Sequence, residues 1–378
     1  MPTTENTSKT KKAVSRTPSS GKKKRVSGKK KTAGGPSRAG IITWCSAAAA
    51  VILAIGLFSS WNWLSDNKIP NFRKSTVIYV RPDSSLDEIY AALINEAGVK
   101  RPYSLNRAFR DKKVAEYFKP GRYEVRPGYT SVYVARMLNN CWQSPAKLTL
   151  SGTMRSKSQL ASKISSQLMI DSVAVMKALN DKAMLSVYGF TPRNVFSLFM
   201  PDTYEMYWTS DMKDVLDRQK EAYDKFWNEK RLAQAKAQGL TPLEVSVLAS
   251  IVKGETNYEP EMPKIAGVYL NRLHTGMKLQ ADPTVAYCFN YELNRVLNKH
   301  LEFDSPYNTY KYAGLPPGPI AVPTKACLEA VLNPEGDYLY FCANSTFDGT
   351  HLFAKSYSDH LRNARAFQSA LDKAKKNK

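Results

Sequence analysis

Residues 241–261 read "TPLEVSVLASIVKGETNYEPE". Thr241 is placed as a helix N-cap, Pro242 suits the first turn, and Glu244 follows three residues after the cap. Leu243, Val247, Leu248, Ile251 and Val252 recur at helical spacing and form an apolar stripe. Glu255 falls four residues after Ile251 and seven after Leu248, on the side that should meet a core. From pattern alone it is either a desolvated acid on the helix or a solvated acid in the loop just past it. On the helix, desolvation disfavours the charged form and raises the pKa, so the carboxyl could hand a proton to a leaving oxygen. Gly254 is read as removing bulk beside Glu255 so that a ligand can approach. Glu259 and Glu261 flank Pro260 and read as solvated. Pro263 opens a second helix, "KIAGVYLNRLH", which Gly276 ends. "MKLQADPTVAY" (277–287) reads as an extended piece and a turn, with Asp282 as a turn residue. Asn271, Arg272 and Gln280 surround this second helix and its exit. From residue 301 the chain is rich in Tyr, Asn, Pro and Gly. "DSPYNTYKYAGLPPGPI" reads as a long aromatic loop suited to lining a groove for an extended polar ligand, and it carries Tyr307, Asn308 and Thr309. A strand at 337–343 and a basic helix over about 356–374 complete this part.

N-terminal to this, the chain changes character twice. The first 39 residues hold 12 Lys/Arg and one acid, half of the net charge of +22, in a Ser/Thr/Gly/Lys tract. Such a tract cannot offset its ordering entropy, so 1–39 is expected to be disordered. Gly40 to Leu64 follow as 25 residues without a formal charge, with Trp44 near one end and Trp61 and Trp63 at the other. This is long enough to cross a bilayer as a helix with interfacial aromatics. The basic tail then places the N-terminus in the cytoplasm and the rest of the chain outside it. A cleaved signal peptide is the competing reading, against which stand the long basic region and the length of the apolar span. No aromatics interleave the lysines, so the tail reads as solvated and topology-setting, and no nucleic-acid partner is expected. The net positive charge of the exported part weakly suits an anionic polymer or a membrane surface.

Between the anchor and residue 240 a weak repeat appears. "VRPDSSLDEIYAAL" (80–93) and "VRPGYTSVYVARML" (125–138) each follow an alternating stretch, "STVIYV" and "GRYEV", that reads as a strand. Each continues through a Pro turn and a Ser or Thr cap into an amphipathic run, and Ser85 with Glu88 forms a capping box. "KLTLSGTMRSKSQLASKI" (147–164) reads as a third strand–turn–helix. Residues 171–240 read as mostly helical, interrupted by "LFMPDTYEMYWTS" (198–210), with Ser210 as a cap and Gly239 as a stop.

Other chemistries are weakly represented. His274, His300, His351 and His360 fall in no HExxH spacing, so no metal site is expected. There is no GxSxG elbow, Walker loop or GxGxxG, and "SDMK" at Ser210 lacks the companion motifs of an SxxK enzyme. The chain calls for no cofactor, and carboxylate chemistry is the main enzymatic option. Cys45, Cys141, Cys288, Cys327 and Cys342 form no CxxC pair; those in the exported part could pair or stay as buried thiols.

"LASIVKGET", "IAGVYLNRLHTGMKLQADPTVAY", "SPYNTYKYAGLPPGPIAVP" and "YLYFCA", in that order over about 240–365, resemble the endolytic murein transglycosylase family (YceG-like). "FKPGRYEV", "FMPDTYEMY" and the apolar span fit its upstream layout. The resemblance implies an α+β protein: a single N-terminal transmembrane helix (40–64), a small LysM-like α+β region (74–146), a mostly helical connecting region (147–240) and a mixed α+β catalytic domain (241–372). It implies that Glu255 is the catalytic acid. The family often carries another Glu two residues earlier, where this chain has Lys253, a cation that would favour ionised Glu255 if within reach. It also implies cleavage of the β-1,4 bond between N-acetylmuramic acid and N-acetylglucosamine within glycan strands, leaving 1,6-anhydro ends. Asn271, Arg272, Gln280, Asp282, Thr284, Tyr307 and Asn308 are the candidates for holding the sugars. The implied partners are peptidoglycan strands, the bacterial cytoplasmic membrane and peptidoglycan synthesis enzymes. A water-using muramidase with Asp282 or Glu261 as second carboxylate, and a non-catalytic peptidoglycan-binding scaffold, are the alternatives.

Overall fold

A computed structural model describes residues 38–376; the disordered tail expected at 1–39 lies almost wholly outside the described residues. The chain divides into two compact units, one ending at Trp61 and the other running from Asn62 to the C-terminus. Helix α1 (Arg38–Asn67) contains the apolar span Ile42–Asn67, 26 residues long, whose most apolar 18 residues have a mean hydropathy of 2.0 and are not buried. Among the described residues it is the one helix long and apolar enough to cross a membrane.

The second unit begins with β1 (Thr76–Val80), α2 (Leu86–Asn95), α3 (Pro102–Asp111), the single turn α4 (Val114–Tyr117), β2 (Gly121–Val125) and α5 (Ser131–Asn139). β1 and β2 pair antiparallel, Thr76 opposite Val125 and Val80 opposite Gly121. Both strand–turn–helix units expected from the repeat are present. Ser85 and Glu88 form the capping box of α2, and Thr130 caps α5. Phe72, Ile78, Leu93, Leu105, Tyr123 and Leu138 fill the core between these elements.

Next come β3 (Ala146–Thr149), α6 (Lys157–Ser165), α7 (Ser172–Ala178), α8 (Lys182–Ser186), β4 (Thr203–Met206) and α9 (Met212–Phe226). The third strand and helix form as expected. However, β3 pairs antiparallel with β4, which lies inside the stretch read as an interruption between helices. Thr203 opposite Thr149 and Tyr204 opposite Leu148 give "DTYEM" its extended form, and Tyr204 is buried in the core beneath. Asp211, not Ser210, caps α9, through a reciprocal box with Asp214; an ionised cap carboxylate is also favoured by the helix dipole.

The remaining elements are α10 (Glu229–Ala237), α11 (Pro242–Glu255), α12 (Met262–His274), α13 (Asp282–Cys288), the single turn α14 (Asn298–Leu301), α15 (Lys325–Leu332), β5 (Tyr340–Ala343), β6 (His351–Ala354) and α16 (Tyr357–Lys376). β5 and β6 form a hairpin, Tyr340 opposite Ala354. α11, α12 and α15 pack around Leu248, Ile251, Val252, Ile265, Tyr269 and Leu328. The second half of "MKLQADPTVAY", expected as a turn, is helix α13: Pro283 lies in its first turn, where the missing N–H has no intrahelical partner to lose. Residues 304–324 contain neither helix nor strand, as their composition suggested.

Candidate active site

α11 starts where the sequence places it. Thr241 accepts from the Glu244 amide and Glu244 Oε2 accepts from the Thr241 amide. Val245 to Val252 are all buried, so the helix is held along its length and delivers Glu255 as its last residue. The chain then turns away at Thr256, whose backbone is extended and whose hydroxyl accepts from the Tyr258 amide at 2.9 Å.

Glu255 keeps partial solvent access as a residue, yet its carboxyl sits among α12 and α13 rather than in open water. Tyr269 Oη donates to Glu255 Oε1 at 2.6 Å. Burial is the main influence on the acid and raises its pKa. The Tyr269 hydrogen bond lowers it, the Asp282 charge raises it and Arg272 lowers it, and the net result is a pKa pushed up to about 7. Burial holds the Tyr269 phenol well above its usual range, so it stays protonated and donates.

Arg272 lies one helical turn beyond Tyr269 and is buried. Its Nε donates to the Leu339 carbonyl at 2.7 Å, its Nη1 donates to the Leu279 carbonyl at 2.5 Å, and its guanidinium lies over the Tyr340 ring. It is thus a fixed cation tied to two loops. Lys253 plays no such part: its Nζ donates to Asn257 Oδ1 at 2.7 Å, and it is not among the charges acting on Glu255. The cation felt by the acid is Arg272.

Gly254 serves packing rather than ligand approach. A Cβ there would lie 2.5 Å from Pro283 Cβ, so the glycine lets α13 close against α11. That closure brings Asp282, the exposed first residue of α13, near enough to act on Glu255. Tyr310 Oη donates to Asp282 Oδ1 at 2.6 Å.

The other candidates divide by what their polar atoms do. Gln280 is exposed in left-handed backbone at φ 53°, with its amide bonded to the Thr309 carbonyl. A non-glycine residue held in that region is uncommon, and such residues cluster at functional sites. Thr284 is buried. Its hydroxyl bonds the Ala281 carbonyl at 2.7 Å and shares a 2.8 Å hydrogen bond with Thr309, which fastens α13 to the long loop. Asn308 is buried and donates to the carbonyls of Leu301 and Phe303. Asn271 donates to the carbonyls of Gly336 and Tyr338. Tyr307 packs against Tyr287 with ring centroids 4.7 Å apart and planes tilted by 41°, at the far end of α13 from Asp282. The structure therefore brings Glu255, Asp282 and Arg272 together with two phenols, Tyr269 and Tyr310, that sequence reasoning did not single out.

Glu261, read as solvated, is buried. It accepts from the His351 amide at 2.9 Å and bonds the His351 ring at 2.8 Å, tying the start of α12 to β6. Among the described residues, no three His, Cys, Asp or Glu side chains gather in a way that could hold a metal ion. The 540 Å³ pocket around Asp214 and Asp217 is not lined by Glu255 or its partners, so chemistry rather than volume marks the site.

A family model described as the YceG-like family matches residues 78–366. A 114-residue segment, 30% of this chain, is 47% identical to a protein named endolytic murein transglycosylase from Bacillus subtilis, of which it covers 31%. A 169-residue segment, 43% of this chain, is 32% identical to the protein of the same name from Streptococcus pneumoniae, of which it covers 30%. The chain thus spans about a third of the length of these curated relatives. The crystal structure of a YceG-like protein from Listeria monocytogenes is similar at a TM-score of 0.51 and 26% identity, over 76% of this chain and 98% of that one.

Proposed function

This chain belongs to the YceG-like family, and from that we propose that it is a lytic transglycosylase with Glu255 as its catalytic acid. It cleaves the β-1,4 bond between N-acetylmuramic acid and N-acetylglucosamine within a strand and leaves a 1,6-anhydro-muramyl end. The observation that carries the reading is the desolvated Glu255 carboxyl, poised near pH 7 and oriented by Tyr269.

A carboxyl with that pKa can work in both directions. Protonated, Glu255 gives its proton to the departing glycosidic oxygen. The resulting carboxylate, stabilised by the Tyr269 hydroxyl and the Arg272 charge, accepts the proton of the muramyl C6 hydroxyl as that oxygen attacks C1. One bond breaks, one forms inside the same sugar, and no water enters. Ordinary glycosidases need a second carboxylate as nucleophile or water activator. Glu261 is committed to His351 and is unavailable for that work. Among the described residues Asp282 remains the one carboxylate whose charge acts on Glu255, and its role on this reading is to raise the pKa of Glu255 and to contact sugar hydroxyls together with Gln280. Asn271, Thr284 and Asn308 act by holding the loops that form the groove. The mechanism uses no cofactor.

The apolar helix supports a single-pass anchor in the bacterial cytoplasmic membrane, N-terminus inside and catalytic region outside. Tethering keeps the enzyme beside strands as they emerge and raises its effective concentration there. The role that fits is trimming or terminating nascent strands near the enzymes that synthesise them. The β1–α2–α3–β2 order, with the single turn α4 ahead of β2, supports a LysM-like region at 74–146 that holds the strand, followed by a connecting region (147–240) and the catalytic domain (241–372).

Digestion of isolated glycan strands by the wild type and by Glu255→Gln tests the assignment. The wild type is expected to release shorter strands and the variant to lose at least about a hundredfold in rate, as for loss of a general acid. Equal release by the two would remove Glu255 from the mechanism, and no release by either would favour a non-catalytic scaffold.

A further inference from the structure

A pocket of 440 Å³ opens at the far end of α13 from Asp282. Its walls hold Arg155, Lys157 and Arg193 with Tyr287, Tyr291 and Tyr307, and no acidic side chain. Among the described residues neither arginine is engaged by a carboxylate: Arg155 lies over the Tyr291 ring at 4.9 Å, and Arg193 makes no ion pair. Among the described residues Lys157 Nζ donates to the neutral amide of Asn180 and to no carboxylate. The 540 Å³ pocket, by contrast, sets Arg218 among Glu205, Asp214, Asp217 and Glu221.

The aromatic wall is held in place. Tyr291 follows Asn290 in two successive left-handed residues, at φ 60° and 53°, and its hydroxyl is fixed to the Ile320 carbonyl at 2.8 Å. Tyr307 packs against Tyr287 at a tilt. Gly318 packs against the Arg193 carbonyl, where a Cβ would come within 2.4 Å, so the long loop is pinned to the segment that carries Arg193. Three cations left without acids and three ordered phenols make a receptor for an anionic group flanked by apolar or planar atoms.

α13 sets the distance from this pocket to the reacting centre. From Asp282 to Cys288 the helix rises about 9 Å, close to the length of a disaccharide. A ligand whose sugars lie at Glu255 and Asp282 would therefore reach the pocket with a side branch about one repeat away. We propose that the pocket is a subsite for the carboxylate-bearing peptide branch of the glycan strand, attached to a muramyl residue adjacent to the one cleaved. The proposal rests on the cleavage reading above. It makes the enzyme selective for strands that still carry their peptides.

The test compares kcat/KM of the full chain on peptide-bearing strands and on the same strands stripped of peptide by an amidase. The wild type is expected to prefer peptide-bearing strands by about tenfold, the scale of one charge-assisted contact. Arg155→Gln with Arg193→Gln is expected to bring that ratio to about one, mainly through KM on peptide-bearing strands. Arg155→Lys with Arg193→Lys is expected to restore most of it. Both arginines are exposed, and a thermal unfolding midpoint checks that the variants fold. A wild type with no preference, or a Gln variant that keeps it, overturns the subsite while leaving the cleavage reading intact. A wild type inactive on both strands contradicts the cleavage reading and the subsite with it.

Discussion

The phenol of Tyr269, on α12, donates a 2.6 Å hydrogen bond to Oε1 of Glu255, the last residue of α11. The bond favours the ionised acid and so works against the burial that raises its pKa. Tyr269→Phe removes the donor and leaves the burial. The alkaline limb of kcat/KM, which follows loss of the Glu255 proton, is then expected to move to higher pH. Turnover should fall about tenfold, because the carboxylate formed on proton transfer has lost a partner worth about 1.4 kcal/mol. A pH–rate profile of the variant checks both effects.

Asp282 acts in the opposite sense. Its charge raises the pKa of Glu255, so Asp282→Asn is expected to move the same alkaline limb to lower pH. Turnover below that limb should persist, since Asp282 supplies no nucleophile and activates no water. Loss of nearly all turnover at every pH would instead assign Asp282 the second-carboxylate role of a hydrolase.

Function at Glu255 is expected to weaken the fold. Its folded pKa of about 7 lies above the value of 4.5 for a free glutamate, so the folded chain holds this proton more tightly than the unfolded one. Stability therefore falls as pH rises through the window between those values. Glu255→Gln escapes the effect. It should exceed the wild type by about 1 to 3 kcal/mol above pH 7, the lower end allowing for water that still reaches the carboxyl, and converge with it below about pH 4.5. Urea unfolding at the two ends of the window measures the difference.

Gly254 sets the seat of α13. Gly254→Ala drives a methyl group into Pro283 and is expected to cost about 1 to 3 kcal/mol, read as a lowered unfolding midpoint. Because Asp282 precedes Pro283, the displaced helix should also lower kcat/KM beyond any loss of folded protein.

The parts of this site that could be read along the chain are those fixed by local rules. The Thr241–Glu244 box, Pro242 and the apolar stripe place α11, but the pattern leaves open whether Glu255 is a desolvated acid on that helix or a solvated one just past it; the structure makes it the last residue of α11. The partners of Glu255 obey no local rule. Tyr269 follows Ile265 and Ala266 at helical spacing, a pattern that reports burial and says nothing of the hydroxyl at the end of the ring. Only the packing of α12 on α11 supplies its acceptor, and only the fold of residues 304–324 brings Tyr310 to Asp282. The same holds for Glu261, whose neighbours Pro260 and Pro263 suggested a solvated turn while its partner His351 stands on a distant strand. β4 was hidden because a four-residue strand between helices takes its form from pairing with β3. Gly254 was misread because a small residue beside an acid suits a ligand and a packed helix equally well, and the closeness of Pro283 decides between them.

The central claim is that the muramyl C6 hydroxyl, not water, closes the reaction that Glu255 opens. Cleavage of purified glycan strands in water enriched in the heavy oxygen isotope, followed by mass spectrometry of the new ends, tests it most directly. The account predicts anhydro-muramyl ends lighter than hydrolysed ends by one water and free of the isotope. Reducing ends carrying one heavy oxygen would contradict it.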